Sequence, residues 1–399
     1  MRTTKGNRLH IGFFGKRNAG KSSLVNKIIG QEISIVSDIL GTTTDVNQKS
    51  MELLPVGPVV LMDTAGFDDT GELGKLRVEK TNEALKLVDV AVMVFDNSPL
   101  LPAEIAFLNR LKENKIPVLS ILNKTDLGEY DKDIVREISE KSDEILKISI
   151  KSDNDIVSNF KESLIKIIPD DYIQDIPILS DIVAPKDTAV LVIPIDKEAP
   201  KGRLILPQVN VLRDILDIGA VSVVCRENEL KEALDKLSAP PKIVITDSQA
   251  FKKVAEIVPD DILLTSFSII FARLKGDLTA FVDGARKLDD LYDKDRVLIL
   301  ESCSHHSVED DIGKVKIPKL VRTYSGKEIE FEHFSGHDFP KNIDKYSLII
   351  HCGACMTNRR EVLNRINIAN SYGVPITNYG IAIAKCLGIL DRAIKPFAL

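Results

Sequence analysis

Short apolar runs alternate with longer helical patterns along the first part of the chain. The runs stand at 9–14, 59–62, 90–95, 117–122 and 145–148. Strands that are apolar on both faces and separated by helices are typical of a parallel sheet that helices cover on both sides. The pattern therefore predicts an α/β domain over 1–171, because a turn-rich, acidic stretch follows Ile168.

The rest of the chain repeats this alternation. Predicted strands stand at 188–193, 221–225 and 242–245, and then at 296–300 and 347–350. Predicted helices fall near 207–217, 227–238, 249–257, 277–291 and 360–371. We therefore predict three α/β domains, over 1–171, 172–260 and 261–399, of which the first has a mostly parallel sheet.

Composition narrows the class of function. The 399 residues carry 53 Lys and Arg against 59 Asp and Glu, a formal net charge of −6. A protein that coats nucleic acid needs a basic face, so this balance speaks against nucleic acid as a partner. No apolar stretch approaches the roughly 20 residues that a membrane helix needs, and no apolar signal region follows the basic N-terminus. We expect a cytoplasmic protein without a membrane partner.

A phosphate-binding motif lies between the first predicted strand and the helix after it. Residues 15–22 read Gly-Lys-Arg-Asn-Ala-Gly-Lys-Ser, which fits G-x-x-x-x-G-K-S/T. Its glycines let backbone N–H groups wrap phosphate oxygens at the positive end of a helix. Lys21 would then reach the β- and γ-phosphates, and the Ser22 hydroxyl would hold Mg²⁺. The predicted phosphate contacts are Gly15, Asn18, Ala19, Gly20, Lys21, Ser22 and Ser23.

A second motif, Asp63-Thr64-Ala65-Gly66, follows an apolar strand. Its carboxylate would hold Mg²⁺, and Gly66 would bring a flexible backbone to the γ-phosphate. The next residue is Phe67, whose ring cannot orient an attacking water as a glutamine does in Ras-like proteins. We therefore expect slow, Mg²⁺-dependent hydrolysis, which suits a conformational switch.

A third motif selects the base. Asn123-Lys124-Thr125-Asp126 also ends a predicted strand. The Asp126 carboxylate can accept hydrogen bonds from guanine N1–H and N2–H₂, a pair of donors that adenine lacks, so the motif predicts GTP rather than ATP. Ser149 and Ile150 stand where a base-contacting loop belongs, although their signal alone is weak.

The segment Gly41-Thr42-Thr43-Thr44-Asp45 lies between the first two motifs. With it, the first domain resembles the GTPases of the TrmE–Era group, whose switch segment reads G-T-T-R-D; Thr44 replaces the Arg of that pattern. The resemblance implies that Thr43 is a Mg²⁺ ligand and that Asn18 helps to hold K⁺, which would stimulate hydrolysis. An ordinary turn residue is the alternative reading of Asn18. The predicted catalytic residues are Lys21, Thr43, Asp63 and Gly66.

Cysteines and histidines follow two predicted strands of the last domain. Cys303 and His305 come after the strand at 296–300, and His351-Cys352-Gly353-Ala354-Cys355 follows the strand at 347–350. Ligand sites gather at the carboxyl ends of strands in α/β folds. Thiolates favour zinc or an iron–sulfur cluster. A metal centre is therefore predicted, and a redox dithiol and a structural zinc site remain alternatives.

The pattern C-x-H…H-C-x-x-C behind such a GTPase domain resembles the family of FeFe-hydrogenase maturation GTPases (HydF) over the whole chain. The resemblance implies a scaffold or carrier that holds a 4Fe–4S cluster on Cys303, Cys352 and Cys355 in the domain 261–399. It implies that the protein receives a transient diiron precursor of the hydrogenase active site and delivers it to apo FeFe-hydrogenase. It also implies a homodimer formed through the domain 172–260 and work beside two radical-SAM maturases.

The fourth ligand of the cluster stays open at the level of sequence. His305 and His351 are candidates from the family pattern, and Glu301 points to the same side of an extended strand end as Cys303. We rank an exchangeable carboxylate or a water before a histidine. The rival functions are a ribosome- or tRNA-associated GTPase with a structural zinc site and an iron–sulfur redox protein with an appended GTPase.

Overall fold

A computed structural model of the chain describes residues 8–31, 37–38, 47–64, 84–85, 87–168, 177–195, 204–301, 312–336, 339–340, 342–354 and 357–399. Two compact units divide the chain, Met1–Asp175 and Ile176–Leu399. The first unit is one α/β sheet with its helices, and the second contains two further sheets. The predicted α/β class is confirmed, whereas the split of the second unit into 172–260 and 261–399 stays a prediction.

The described strands of the first unit form one sheet in the order β2-β3-β4-β1-β5-β6-β7. They are β1 Leu9–Phe14, β2 Ser37–Asp38, β3 Asn47–Leu53, β4 Gly57–Asp63, β5 Val90–Phe95, β6 Val118–Leu122 and β7 Glu144–Lys147. The strands β4, β1, β5, β6 and β7 run parallel, and β3 and β2 extend the sheet antiparallel. The mostly parallel sheet is therefore confirmed.

The sheet of the first unit is buried on both faces. Its described helices are α1 Lys21–Gln31, α2 Pro102–Glu113, α3 Lys132–Ser139 and α4 Ile156–Ile167. Side chains alternate across β1, so Phe13 joins the core on one face and Phe14 the core on the other. Phe13 stacks on Phe160 of α4 with ring centroids 6.1 Å apart, and Phe14 meets Phe107 of α2 at 4.8 Å. Such aromatic pairs stabilise beyond the area that they bury.

The second unit contains two parallel sheets of four described strands each. The first has the order β11-β10-β8-β9 and the second the order β13-β12-β14-β15. The strands are β8 Thr188–Val192, β9 Val221–Cys225, β10 Ile243–Thr246, β11 Leu263–Ser266, β12 Arg296–Glu301, β13 Glu330–Ser335, β14 Leu348–His351 and β15 Ile376–Asn378. In both sheets the chain first adds a strand on one side of the starting strand and then crosses to the other side.

Helices cover both sheets of the second unit and join them into one core. The described helices are α5 Leu206–Ile218, α6 Leu230–Asp235, α7 Phe251–Ile257, α8 Phe267–Lys275, α9 Leu278–Arg286, α10 Ile317–Ser325, α11 Arg359–Ser371, α12 Tyr379–Cys386 and α13 Leu390–Ile394. Residues of β8 and of β12 and β14 share a single buried apolar cluster. Among the described helices, none combines the length and the apolar character that a membrane span requires.

The packing of α9 on β15 has no room for a side chain at Gly284. A Cβ there would lie 1.9 Å from the carbonyl oxygen of Ile376 and 2.5 Å from its carbonyl carbon. Backbone cannot turn aside as the tip of a side chain can, so Gly284→Ala must push the helix off the strand. We expect a loss of about 1–3 kcal/mol in the free energy of unfolding. Urea denaturation followed by far-UV circular dichroism measures it.

The matched control is Gly30→Ala in α1, where nothing lies within 4 Å of an added Cβ. Alanine favours the helical state more than glycine, so this variant should stay unchanged or gain up to about 1 kcal/mol. Equal losses in the two variants would contradict the close approach of α9 to β15.

Candidate functional site

The phosphate-binding motif forms a tight loop between β1 and α1. Three of its residues have a left-handed backbone: φ is +141° at Gly15, +59° at Asn18 and +111° at Gly20. A Cβ at Gly15 would lie 2.2 Å from the carbonyl oxygen of Val94, so only glycine fits there. The loop leads into the N-terminus of an 11-residue helix, whose backbone N–H groups attract anions. The predicted strand–loop–helix context of the motif is confirmed.

The Lys21 ammonium lies over this loop. Its Nζ donates hydrogen bonds to the carbonyl oxygens of Gly15, at 3.0 Å, and Lys16, at 2.7 Å, and the residue is only 7% exposed. Backbone carbonyls thus hold the nearly buried ammonium where phosphate oxygens would arrive. The position agrees with the phosphate-binding role predicted for Lys21, which stays a prediction.

Ser22 and Asp63 meet at the ends of α1 and β4. The Ser22 hydroxyl donates to Asp63 Oδ2 at 2.6 Å. The other carboxylate oxygen, Oδ1, is buried and has no hydrogen-bond partner among the described residues. Oxygen donors of these two kinds are what Mg²⁺ takes from a protein, and a cation would satisfy the orphaned oxygen. The pair fits Mg²⁺. The other predicted members of this part of the site, Thr43 and Gly66, lie outside the described residues.

Asn123 ties the base motif to the phosphate loop. Its Nδ2 donates to the carbonyl oxygen of Ala19 at 2.7 Å, and its Oδ1 accepts from the backbone N–H of Ile150 at 3.1 Å. The side chain is almost fully buried, so the amide serves as an internal brace. Asp126 is exposed, and its Oδ1 accepts from the Ser149 hydroxyl at 2.7 Å. This hydrogen bond holds Asp126 at the wall of a cavity that Asn18 and Gly20 also line.

Part of the phosphate loop and the base motif line one cavity of about 460 Å³, a volume suited to a small-molecule ligand. Its lining residues are Asn18, Gly20, Ser23, Asn123, Lys124, Asp126, Leu127, Ser149, Ile150 and Lys151. The cavity therefore unites residues from three predicted contact segments, the phosphate loop, the base motif and the Ser149–Ile150 loop. Ile150 contributes both its backbone N–H and its side chain, whose Cδ1 would lie 3.1 Å from a Cβ at Gly20.

Two supports of this site were not predicted. The Tyr130 hydroxyl donates to the carbonyl oxygens of Phe95 and Asn123, which end neighbouring strands, and burial raises the pKa of Tyr130. Lys16, the second residue of the phosphate loop, donates to Ser98 Oγ at 2.9 Å. Neither residue belongs to a motif position with a defined type, so the sequence carries no signal for them.

Lys16 also forms a buried ion pair with Glu104 of α2. Its Nζ lies 3.3 Å from Glu104 Oε2, and both side chains are nearly inaccessible to water. Glu104 Oε2 also accepts from the backbone N–H of Leu101, whereas Oε1 has no partner among the described residues. Burial raises the pKa of Glu104, against the lowering effects of Leu101 N–H and of Lys16. The phosphate loop is therefore fastened to α2 through a desolvated charge pair.

The cysteine segments leave neighbouring strands at the same edge of the last sheet. Leu300 of β12 pairs with His351 of β14, and the backbone N–H of Cys352 donates to the carbonyl oxygen of Leu300 at 2.9 Å. Glu301 and Cys352 thus follow paired positions. In the sequence, Cys303 follows Glu301 by two residues and Cys355 follows Cys352 by three, and three thiols are the donor type that an iron–sulfur cluster takes.

Three residues of the predicted cluster site, Cys303, His305 and Cys355, lie outside the described residues. Within the described ranges, no three His, Cys, Asp or Glu side chains come together as a metal site. The cluster and its three cysteine ligands therefore stay a prediction.

Glu301, a predicted candidate ligand, is held by hydrogen-bond donors. Tyr379, the first residue of α12, donates to Oε1 at 3.0 Å, and the Ser335 hydroxyl lies 3.4 Å from Oε2. A Cβ at Gly313 would lie 2.6 Å from Oε1, so a glycine makes room for the carboxylate. Tyr379 and Ser335 carry no motif that would have marked them in the sequence.

His351, the other described candidate ligand, is buried with both ring nitrogens engaged. Nδ1 lies 2.7 Å from the carbonyl oxygen of Cys352, and Nε2 lies 2.9 Å from Arg365 Nη1. Burial, and next the charge of Arg365, lower the pKa of His351 to about 3. Ligation by His351 would require one of these bonds to break; its role as a ligand stays a prediction.

The loop that carries Cys352 leads into the N-terminus of α11. Ala354 adopts a left-handed backbone with φ of +51°, which is strained for a residue with a Cβ. Asn358 then caps the helix, because its side chain accepts from the backbone N–H of Glu361 at 3.1 Å. The positive end of a 13-residue helix favours negative charge nearby, as thiolates supply it.

A phosphate loop and an Asn-Lys-x-Asp motif on one cavity define the first unit as a P-loop GTPase domain. Residues 10–124 match the family described as 50S ribosome-binding GTPase. Residues 178–276 match the hydrogen maturase F dimerization domain, and residues 279–396 match the hydrogen maturase F tetramerization domain. The chain belongs to the hydrogen maturase F family, which confirms the predicted resemblance, and its two C-terminal domains are of kinds described for self-association.

Curated relatives align with the GTPase part of the chain. The tRNA modification GTPase MnmE of Clostridioides difficile is 41% identical over 139 residues, which cover 34% of this chain and 29% of that protein. The MnmE of Aliarcobacter butzleri is 34% identical over 147 residues, or 36% and 31% of the two chains. The chain thus spans less than a third of the length of these relatives. The structure of an Era variant of Aquifex aeolicus bound to GDP·AlF₄⁻ covers 57% of this chain and 98% of that one, at 20% identity and a TM-score of 0.32.

Because Lys16 and Glu104 form a buried ion pair, we expect a single variant and a double variant of this pair to differ in stability. Lys16→Met leaves a buried carboxylate without its cation, so we expect a loss of about 3–5 kcal/mol in the free energy of unfolding. Adding Glu104→Gln removes the stranded charge and keeps an acceptor for Leu101 N–H, so the double variant should regain most of this loss. Chemical denaturation of both variants measures the difference.

The exposed pair Arg136–Asp133 provides the control, since its side chains are 74% and 85% accessible. Arg136→Met should change stability by no more than about 1 kcal/mol. If the Lys16 single and double variants lost equal stability, the two side chains would not form a coupled buried pair.

Proposed function

We propose that this protein hydrolyses GTP slowly and carries a 4Fe–4S cluster on Cys303, Cys352 and Cys355, with which it receives a diiron precursor and delivers it to apo FeFe-hydrogenase. The main support for the proposal is the pairing of Leu300 with His351. It places the ends of β12 and β14, the two strands that precede the cysteine segments in the sequence, at one edge of the sheet. Membership in the hydrogen maturase F family supports the same function.

The first unit supplies the nucleotide switch. The N-terminus of α1 and the Lys21 ammonium would bind the β- and γ-phosphates, and Ser22 and Asp63 would hold Mg²⁺ with Thr43. Bound there, Mg²⁺ neutralises charge that develops on the phosphate oxygens. Asn18, on the cavity wall, is the proposed K⁺ ligand. Because Phe67 replaces a water-orienting glutamine, hydrolysis would be slow.

The last sheet supplies the cluster site. Three thiolates leave one iron corner of a 4Fe–4S cluster open to an exchangeable ligand. Glu301 is our first candidate, because its carboxylate lies at this edge and has an alternative hydrogen-bond donor in Tyr379. Glu301 would be the residue that holds this corner, and the Tyr379 hydroxyl would hold its carboxylate by a hydrogen bond when the carboxylate is not a ligand. The diiron precursor is cargo, which the hydrogenase finally receives.

We also propose that the protein self-associates through the sheet that contains β8 to β11. Strand β9 is an edge strand, and Val221 and Val224 are 53% and 48% exposed on it. An edge strand with exposed β-branched residues is a template for a strand of a second chain. We therefore propose a homodimer formed at β9, in the region that matches a dimerization domain. The two radical-SAM maturases and apo-hydrogenase are its proposed partners.

A ribosome-directed GTPase with structural zinc is the second candidate, favoured by the family description of residues 10–124. The acidic net charge of −6 disfavours an RNA partner. The hydrogen maturase F matches over the second unit disfavour this candidate further.

Asp126→Asn tests the proposed base recognition. The amide cannot accept from both guanine N1–H and N2–H₂, whereas it can donate to the C2 carbonyl of xanthine. We expect GTP affinity to fall by roughly 100-fold or more and XTP affinity to rise. Competition with a fluorescent nucleotide measures both. Asp133→Asn, an exposed change on α3, should leave both affinities unaltered, and loss of XTP binding along with GTP would contradict the assignment.

Val224→Lys tests the proposed dimer edge. A lysine in the middle of the interface would place two ammonium groups in a buried strand pair. The dissociation constant of the dimer should therefore rise at least tenfold. Light scattering after size exclusion gives the mass. Leu54→Lys, at a residue that is 64% exposed in the first unit, is the control and should leave the dimer intact. A dimer that survives Val224→Lys unchanged would place the interface elsewhere.

Maturation of apo FeFe-hydrogenase by purified, precursor-loaded protein tests delivery itself. Cys303→Ser should abolish maturation, because a cluster ligand is lost. Lys21→Ala should retain part of it, because this change affects the switch and leaves the cargo site in place. Full maturation with Cys303→Ser would show that the cluster is not required for delivery.

A further inference from the structure

A buried charged group lies behind the cysteine loop. Arg365 of α11 is 2% exposed, and His351 and Glu361 are 1% and 3% exposed. Arg365 Nη1 lies 2.9 Å from His351 Nε2, and Nη2 lies 2.8 Å from Glu361 Oε1. Nη2 also donates to the carbonyl oxygen of Gly336 at 2.7 Å. A single guanidinium thus joins the end of β13, the end of β14 and the helix after the cysteine loop.

The chemistry of these groups determines where the imidazole proton lies. A guanidinium only donates hydrogen bonds, so Nε2 of His351 must be the acceptor. With Nε2 as an acceptor, Nδ1 is the ring nitrogen that carries the proton and donates to the carbonyl oxygen of Cys352 at 2.7 Å. Both ring nitrogens of His351 are therefore committed, and Nε2 turns its lone pair to Arg365 instead of to the cysteine edge.

We interpret the buried Arg365–Glu361 pair as orienting the cysteine loop more than stabilising the fold. Burying a guanidinium and a carboxylate costs desolvation that their attraction repays only in part. Three hydrogen bonds of Arg365 end on groups at the neighbouring strand ends and on the helix after the cysteine loop, which are His351, Gly336 and Glu361. A group that orients a ligand-bearing loop from behind commonly tunes a metal site without touching the metal.

We propose that Arg365 is a positioning residue for the cluster site: it commits His351 to a structural role, orients the Cys352 carbonyl and leaves the open iron corner to Glu301 or water. The inference rests on the proposed cluster-binding function. It separates the two described ligand candidates, because Glu301 is held by neutral hydroxyl donors, whereas His351 is held by a permanent cation. Without Arg365, His351 Nε2 would lose the guanidinium donor that occupies its lone pair.

Pulsed electron paramagnetic resonance of the reconstituted, dithionite-reduced full chain tests the inference. The wild type should show no strong ¹⁴N coupling from an iron-bound histidine. Arg365→Met should acquire such a coupling, and it should vanish again in the double variant Arg365→Met/His351→Ala. Arg296→Met, at a half-exposed arginine of the same unit, is the matched control and should keep the wild-type spectrum. Strong histidine coupling in the wild type that His351→Ala removes would overturn the inference.

A second measurement does not need the cluster. In the full chain with ¹⁵N-labelled histidine, nuclear magnetic resonance should find the ring proton of His351 on Nδ1, with the signal assigned by its loss in His351→Ala. A proton on Nε2 would overturn the inference. A wild-type chain that binds no iron–sulfur cluster would instead contradict the proposed function, and the tautomer would still decide whether Arg365 commits the ring.

Discussion

Both proposed sites depend on one constraint, the parallel pairing of strands whose connections run to opposite sides of the sheet. In the last sheet, β12 lies between β13 and β14, so the chain leaves β12 at a point where neighbouring loops diverge. Such points open a crevice beyond the carboxyl ends of the strands, and ligands bind there. The register of β12 with β14 then brings Glu301 and Cys352 to that crevice from distant parts of the sequence.

The first unit obeys the same geometry. Strand β1 lies between β4 and β5, and the phosphate loop leaves its carboxyl end. Asp63 ends β4 beside it, and Asn123 follows β6. Both proposed sites are thus built at strand ends, on loops whose anchors are fixed by a buried sheet. In each case a buried cation braces the site: Lys16 of the phosphate loop pairs with Glu104 of α2, and Arg365 of α11 forms a hydrogen bond with His351 at the end of β14.

Sequence patterns predicted most of the described strands, including the half-exposed β9, and missed β2, β3, β11, β13 and β15. Strands β1, β5 and β9 were placed at their observed bounds, because β-branched or apolar residues run through them. Strand β13, whose residues alternate Glu, Phe, Glu and His at a sheet edge, was missed, as was the three-residue β15. Short or alternating edge strands carry too few apolar positions to stand out from loops.

The same limit applies to the sites. Motif residues such as Lys21 and Asn123 were predictable because backbone and nucleotide chemistry demand fixed residue types at fixed spacing. Glu104, Tyr379 and Arg365 act through tertiary contacts that join segments far apart in the sequence, and many residue types can fill such positions. Only the fold shows that they support the sites.

Metal and sulfide analysis of anaerobically purified protein tests the central claim most directly. The account predicts about four iron and four acid-labile sulfide per chain. We expect Cys352→Ser to lose most of the iron and sulfide. Cys225→Ser and Cys386→Ser, at half-buried cysteines of β9 and α12, should retain both. One zinc per chain without sulfide, or a cluster unaffected by Cys352→Ser, would contradict the account.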